Sequence, residues 1–135
     1  MKKVFLGGTL GDSTWRKKLI PRLEIDYFDP VVGDWTPECQ EEEIKQRQNC
    51  EFVLYVISPY MQGVYSIAEV VDDSNKRPDR TVFCVLRNER DGLNYSCFTK
   101  GEMKSLDAVK KMVKENGATV CESIDDVVKY LNGSK

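Results

Sequence analysis

The chain contains no histidine. Acid–base work must therefore fall to carboxylates, lysine, tyrosine or cysteine, and every His-based triad and His metal site is excluded. Among the carboxylates, Glu69 stands out. It closes the segment Ser58-Pro59-Tyr60-Met61-Gln62-Gly63-Val64-Tyr65-Ser66-Ile67-Ala68-Glu69, which reads as a loop entering the first turn of a helix near Ser66. Two readings of Glu69 are open. Ser66 and Glu69 have the spacing of a capping box, in which the glutamate reaches back to the helix cap. Alternatively, a carboxylate near the positive end of a helix stays ionised and can attack a substrate carbon. A second acidic group, Glu38, Glu41, Glu42 and Glu43, has the look of a solvated helix face, and Glu43 lies four residues before Arg47, the spacing of a helical ion pair. The third candidate is the loop Gly7-Gly8-Thr9-Leu10-Gly11-Asp12-Ser13. Paired glycines let backbone N–H groups approach a ligand oxygen, and a following helix N-terminus favours an anion. Its spacing matches neither a Walker loop nor G-x-G-x-x-G, so a simple tight turn explains it as well.

These residues are carried by an alternation of strands and helices. Lys3–Leu6 is a short apolar strand ended by Gly7-Gly8. Ser13–Leu23 reads as a helix capped by Asp12 or Ser13. Ile25–Phe28 is a second strand, stopped by Asp29-Pro30. Thr36 and Pro37 open a helix expected to run to Asn49, with its acids near the positive end of the dipole. Glu51–Ser58 is the most continuous apolar run, as expected of a central strand buried on both faces. A helix over Ser66–Asn75 and a strand over Thr81–Leu86 follow. Arg87–Thr99 is a long polar connection of the length that signals function or mobility. Lys100–Asn116 has clear helical periodicity, stopped by Gly117. Ala118–Cys121 and Ser123–Leu131 complete the pattern. Five β-α units imply an α/β domain spanning 1–135, with a five-stranded parallel sheet covered on both faces by helices. In such sheets ligands bind beyond the carboxyl ends of the strands, near the reversal of strand order. That rule gathers Gly7-Gly8-Thr9, Asp29-Pro30, Ser58-Pro59-Tyr60 and Arg87-Asn88.

Composition narrows the class further. With 41% apolar and 31% charged residues, the chain has the balance of a globular protein. A net charge of −2 argues against a nucleic-acid polymer as partner. Lysine pairs such as Lys17-Lys18 and Lys110-Lys111 read as solvated faces. No apolar run is long enough for a bilayer, so no membrane association is expected. The five scattered cysteines include Cys84 and Cys121 inside strand-like runs, where cysteine acts as a small hydrophobe, and a reduced cytoplasm is the simplest home.

Taken together, FLGGT (Phe5–Thr9), STWR (Ser13–Arg16), FDP (Phe28–Pro30), DWT (Asp34–Thr36) and YVISPYMQGVYSIAE (Tyr55–Glu69) resemble the nucleoside 2-deoxyribosyltransferase-like family, which includes deoxynucleoside 5′-monophosphate N-glycosidases. The resemblance implies a Rossmann- or flavodoxin-like three-layer sandwich. It implies that Glu69 is the catalytic nucleophile, and that Glu43, eight residues before Glu51, is the second carboxylate. Gly7 and Gly8, followed by Thr9, match the loop beside the sugar. Ser58 and Ser66 fall where nucleotide-cleaving relatives hold the 5′ end, and Asp29, Trp35 and Tyr60 are candidates for the base pocket. Arg16 could bind a 5′-phosphate or make a surface ion pair. The substrate would be a nucleoside or nucleotide, with no cofactor. Relatives form homo-oligomers in which a neighbour helps close the pocket, a part that Arg87–Thr99, with Tyr95 and Phe98, could play. The chain departs from the pattern at Ser58-Pro59, where an aspartate is common, at Val71, where glycine is common, and at Glu43, which replaces a commoner aspartate.

Such an enzyme would cleave or transfer an N-glycosidic bond. One carboxylate stabilises or traps an oxocarbenium-like centre, while a second carboxyl group protonates the leaving base. Two other classes compete. A non-catalytic nucleotide-binding module would keep the pocket without turnover. A response-regulator-like domain is disfavoured, because no aspartate follows the central strand.

Overall fold

A computed structural model describes residues 2–11, 13–31 and 36–133. Its centre is a five-stranded, all-parallel sheet. The strands are β1 (Lys3–Gly8), β2 (Asp26–Phe28), β3 (Phe52–Ile57), β4 (Thr81–Val85) and, after a two-stranded hairpin described below, β7 (Thr119–Cys121). Their spatial order is β2-β1-β3-β4-β7. This is the flavodoxin-like order, and the chain reverses its winding between β1 and β3. The expected α/β three-layer architecture is therefore the one observed. No helix among the described residues is long and apolar enough to cross a membrane.

Each sheet face carries its own core. Phe5, Val53, Tyr55, Ile57, Phe83 and Val85 point to one face, where Val70 of α3 (Tyr65–Lys76) and Met103, Leu106 and Val113 of α4 (Lys100–Glu115) cover them. Val4, Leu6, Leu54, Val56, Val82 and Cys84 point to the other, beneath Trp15 and Leu19 of α1 (Trp15–Leu19) and Val127, Val128 and Leu131 of α5 (Ile124–Asn132). That alternation follows from the two-residue period of a strand buried on both sides. Cys84 and Cys121 lie buried and in register on neighbouring strands, and burial pushes their thiols up to about 12 and about 11.

Helix α2 (Pro37–Asn49) is different. It begins as expected, with Thr36 accepting a hydrogen bond from the Cys39 N–H and Pro37 in its first turn, yet it buries none of its residues. Polar on all sides, it is held by side-chain bonds rather than by an apolar stripe.

Four local expectations are corrected. The glycines Gly7 and Gly8 do not end β1; they continue it, paired with Tyr55 and Val56. A side chain on Gly7 would lie 2.6 Å from the Tyr55 ring, and one on Gly8, at φ +120°, would overlap the Val56 carbonyl. Both glycines therefore admit close packing against β3. Helix α1 is shorter than Ser13–Leu23, because Pro21 turns its end into a 3-10 turn over Ile20–Arg22, and Ser13 does not cap it. Helix α3 starts at Tyr65 with Val64 in the cap position and no side-chain cap bond. Finally, the polar stretch after β4 contains an antiparallel hairpin, β5 (Asn88–Asp91) with β6 (Asn94–Cys97), turning at Gly92 with φ +62°.

Candidate active site

A cleft of about 680 Å³ opens at the carboxyl ends of β1 and β3, where the strand order reverses. Its volume is that of an ordinary small-molecule site. Gly7, Gly8, Thr9 and Arg16 line one side, Glu43 contributes from α2, and Met61, Gln62, Tyr65, Ser66 and Glu69 line the other. Seven of the residues singled out in the sequence thus meet in one cavity. Asp29, Ser58 and Tyr60 do not line it, and Trp35 lies outside the described residues.

Glu69 is the fifth residue of α3, at the start of its second turn rather than in its first. The capping-box reading fails, since the helix cap makes no side-chain bond. Instead Oε2 of Glu69 lies 3.4 Å from Nη1 of Arg47 on α2, and the side chain is 19% exposed. Burial raises the Glu69 carboxyl above the ordinary glutamate range; Arg47 opposes that rise, while Asp73 and Glu43 reinforce it. Burial likewise raises Glu43. Two carboxyl groups in one cleft, both with weakened acidity, can divide the roles of nucleophile and proton donor.

Arg47 does not pair with Glu43, its helical neighbour. Its guanidinium donates from Nε and Nη2 to Asp73 at 3.1 and 3.0 Å, and from Nη2 to Asp72 at 3.3 Å. Asp73 is fully buried and also accepts from Arg77 and, at 2.5 Å, from the Tyr55 hydroxyl. Burial works against the Arg47 charge, but the hydrogen bonds and charge of Asp73, with Glu69, hold it firmly ionised. Tyr55 reaches Asp73 from the middle of β3, beside the ring-sized space left by Gly7. Sequence inspection missed this cluster, because Arg47 and Asp73 are 26 residues apart and neither carries a motif.

The first loop is bound as tightly. The Thr9 carbonyl accepts from Trp15 Nε1 at 3.0 Å and Arg16 Nη1 at 2.7 Å, and its hydroxyl accepts from the Ser58 N–H at 2.9 Å. Arg16 also donates to the Leu6 carbonyl, pairs with Asp29 at 3.4 Å and stacks over Trp15. Burial lowers it to about 10 despite Asp29. Its fork is thus engaged by the backbone at the cavity's edge. Ser58 is fully buried, its hydroxyl sharing a bond with Ser13 and accepting from the Tyr60 N–H. Phe98 packs into the core, whereas Tyr95 is half exposed and stacks on Arg90. Among the described residues no cluster of three or more His, Cys, Asp or Glu is placed to hold a metal ion.

Glu89, on β5, is a residue the sequence did not single out. Only 4% exposed, it accepts from Ser13 Oγ at 2.8 Å, Thr14 N at 2.7 Å and Thr14 Oγ1 at 3.2 Å, joining the hairpin to the start of α1. Burial alone would raise its carboxyl, but hydrogen bonds from Ser58, Thr14 and Ser13 hold it below the ordinary range. A depressed carboxyl stabilises the fold above its unfolded pKa and loses that contribution as pH falls through the folded value. Replacing Glu89 with Gln should therefore destabilise by about 1–3 kcal/mol at neutral pH, with the difference from wild type shrinking below pH ~4. Urea midpoints measured across that range check it; a constant difference would show that ionisation is not what Glu89 contributes.

No curated protein matches the chain. Residues 1–88 match the family described as nucleoside 2-deoxyribosyltransferase like, which is well over half of the 135 residues. The matched part contains β1 with Gly7 and Gly8, β2, β3, both cleft carboxylates and Arg47, and the chain belongs to that family.

Proposed function

We propose that the chain cleaves or transfers the N-glycosidic bond of a (deoxy)nucleoside or nucleoside 5′-monophosphate, with Glu69 as nucleophile and Glu43 as proton donor to the leaving base. The family is one of glycosyl-transfer enzymes whose substrates are nucleosides. The observation that carries the finer reading is the placement of Glu69: it faces the cleft at the strand-order reversal and is held by an arginine from the preceding helix, not by its own helix end.

The chemistry balances without a cofactor. The Glu69 carboxylate attacks the anomeric carbon as the bond to the base nitrogen breaks, and Glu43 gives its proton to the departing base. The resulting glycosyl ester is then opened by water or by a second base, whose proton returns to Glu43. Interception by water makes the enzyme a hydrolase, and interception by a base makes it a transferase. Burial favours a protonated Glu43, the form that can give a proton to the leaving base.

Incubation with a panel of nucleosides and nucleoside 5′-monophosphates, with and without an acceptor base, tests the reading. Free or exchanged base detected by chromatography is expected from the wild-type chain. Binding of a nucleotide with no base released from any substrate would make the site a sensing module instead.

A further inference from the structure

Helix α2 brings Glu43 to the cleft but contributes nothing to either core. Arg47 ties it to α3. Arg47, one turn beyond Glu43, reaches Glu69, Asp72 and Asp73, all on α3. Glu43 and Glu69 lie on the cleft side of this contact. Arg47 and Asp73, each one turn further along its helix, lie behind it. The Arg47 side chain is 16% exposed, and its partner Asp73 is sealed from solvent and tied to β3 through Tyr55. The chain of contacts runs from the sheet through Tyr55, Asp73 and Arg47 to the Glu69 carboxylate, so the end that meets Glu69 is anchored to the buried strand β3.

We propose that Arg47 is a positioning residue that fixes the Glu69 carboxylate and, by the same contacts, holds the helix carrying Glu43 in place across the cleft. The proposal rests on the reading of Glu69 as nucleophile, and it adds the device that sets the two carboxylates against each other. A planar fork suits this task. One nitrogen can engage Glu69 while the other two hold Asp73, a division that a lysine cannot reproduce.

The test uses Arg47→Gln and Arg47→Lys in the full chain, with two readouts. The first needs no substrate: the side-chain carboxyl carbon of Glu69, identified by its loss in Glu69→Gln, is titrated by NMR. Its midpoint should rise in Arg47→Gln, because the opposing cation is gone. The second is steady-state kinetics on whichever substrate the wild type turns over. There kcat should fall on the order of 10²-fold with KM little changed, as expected of a misplaced reacting group. The acid limb of the pH profile should move up with the midpoint, and guanidinium ion at sub-denaturing concentration should restore part of the rate. Arg47→Lys should lower kcat while shifting the midpoint less, and it replaces Arg47→Gln should that variant fail to fold. An unmoved Glu69 midpoint, or an unmoved kcat, overturns the proposal. If the wild type releases no base, the functional reading fails while the titration still decides whether Arg47 governs Glu69.

Discussion

Replacing Glu69 with Gln should lower kcat/KM by roughly 10⁴-fold or more, the scale on which removing one member of a covalent catalytic unit acts. The substitution keeps the volume of a side chain that lines the cleft and removes only its charge. Substrate affinity, measured by calorimetry, should survive, because Gly7, Gly8, Tyr65 and Ser66 still form the walls. A variant that turned over at near wild-type rate would remove Glu69 from the mechanism. The pH profile supplies an internal check. The proposed mechanism uses the form with Glu69 ionised and Glu43 protonated, so the rate falls as pH drops and the pair takes up a second proton, and falls again as pH climbs and it loses its last. The result is a bell shifted to higher pH than two ordinary glutamates would give, its limbs belonging to the coupled pair. Glu43→Gln should cost about 10²–10⁴-fold and erase the alkaline limb.

The largest effect on stability should come from Asp73→Ala. Its carboxylate is fully buried and takes hydrogen bonds from Tyr55, Arg47 and Arg77. Removing it takes the carboxylate partner from Arg77 and the two shortest bonds from Arg47, which keeps Asp72 at 3.3 Å and Glu69 at 3.4 Å; the two arginine side chains are only 14% and 16% exposed. Breaking a buried pair from one side costs about 3–5 kcal/mol, because the remaining charge loses its partner but not its burial. For a chain of this size that corresponds to a fall in Tm of roughly 10–20 °C, readable by thermal unfolding in circular dichroism. Asp73→Asn, which keeps an acceptor for Tyr55, should lose distinctly less. Equal melting of Asp73→Ala and wild type would mean that the arginines find water as readily as they find Asp73.

What was legible in the sequence was local. Thr36, Pro37 and Glu38 announce the start of α2 within three residues, and the helix runs over the expected Pro37–Asn49. The apolar run of β3 and the periodicity of α4 depend on neighbours a few positions away, and both elements lie within two residues of expectation. Errors arose where the cause lay in another element. Gly7 and Gly8 look like a strand stop until the Tyr55 ring and Val56 carbonyl beside them are seen. The hairpin inside Arg87–Thr99 lacks alternating apolar residues, and only Asp91-Gly92 signalled its turn. Glu89 has partners 75 and 76 residues away, beyond the reach of any spacing rule. In the site, Glu69 and Glu43 came from motif and resemblance, and the cleft contains both. The arginine between Glu69 and Asp73 was assigned instead to a routine helical pair.

Helix α2 buries no side chain. Segments with so little packing open first, well below the free energy needed to unravel the sheet. The carboxyl group assigned to deliver the proton therefore rides on a lightly packed helix, held to the core through Arg47 and Asp73. Thermal inactivation would then precede melting, with loss of proton delivery while both hydrophobic cores are still intact.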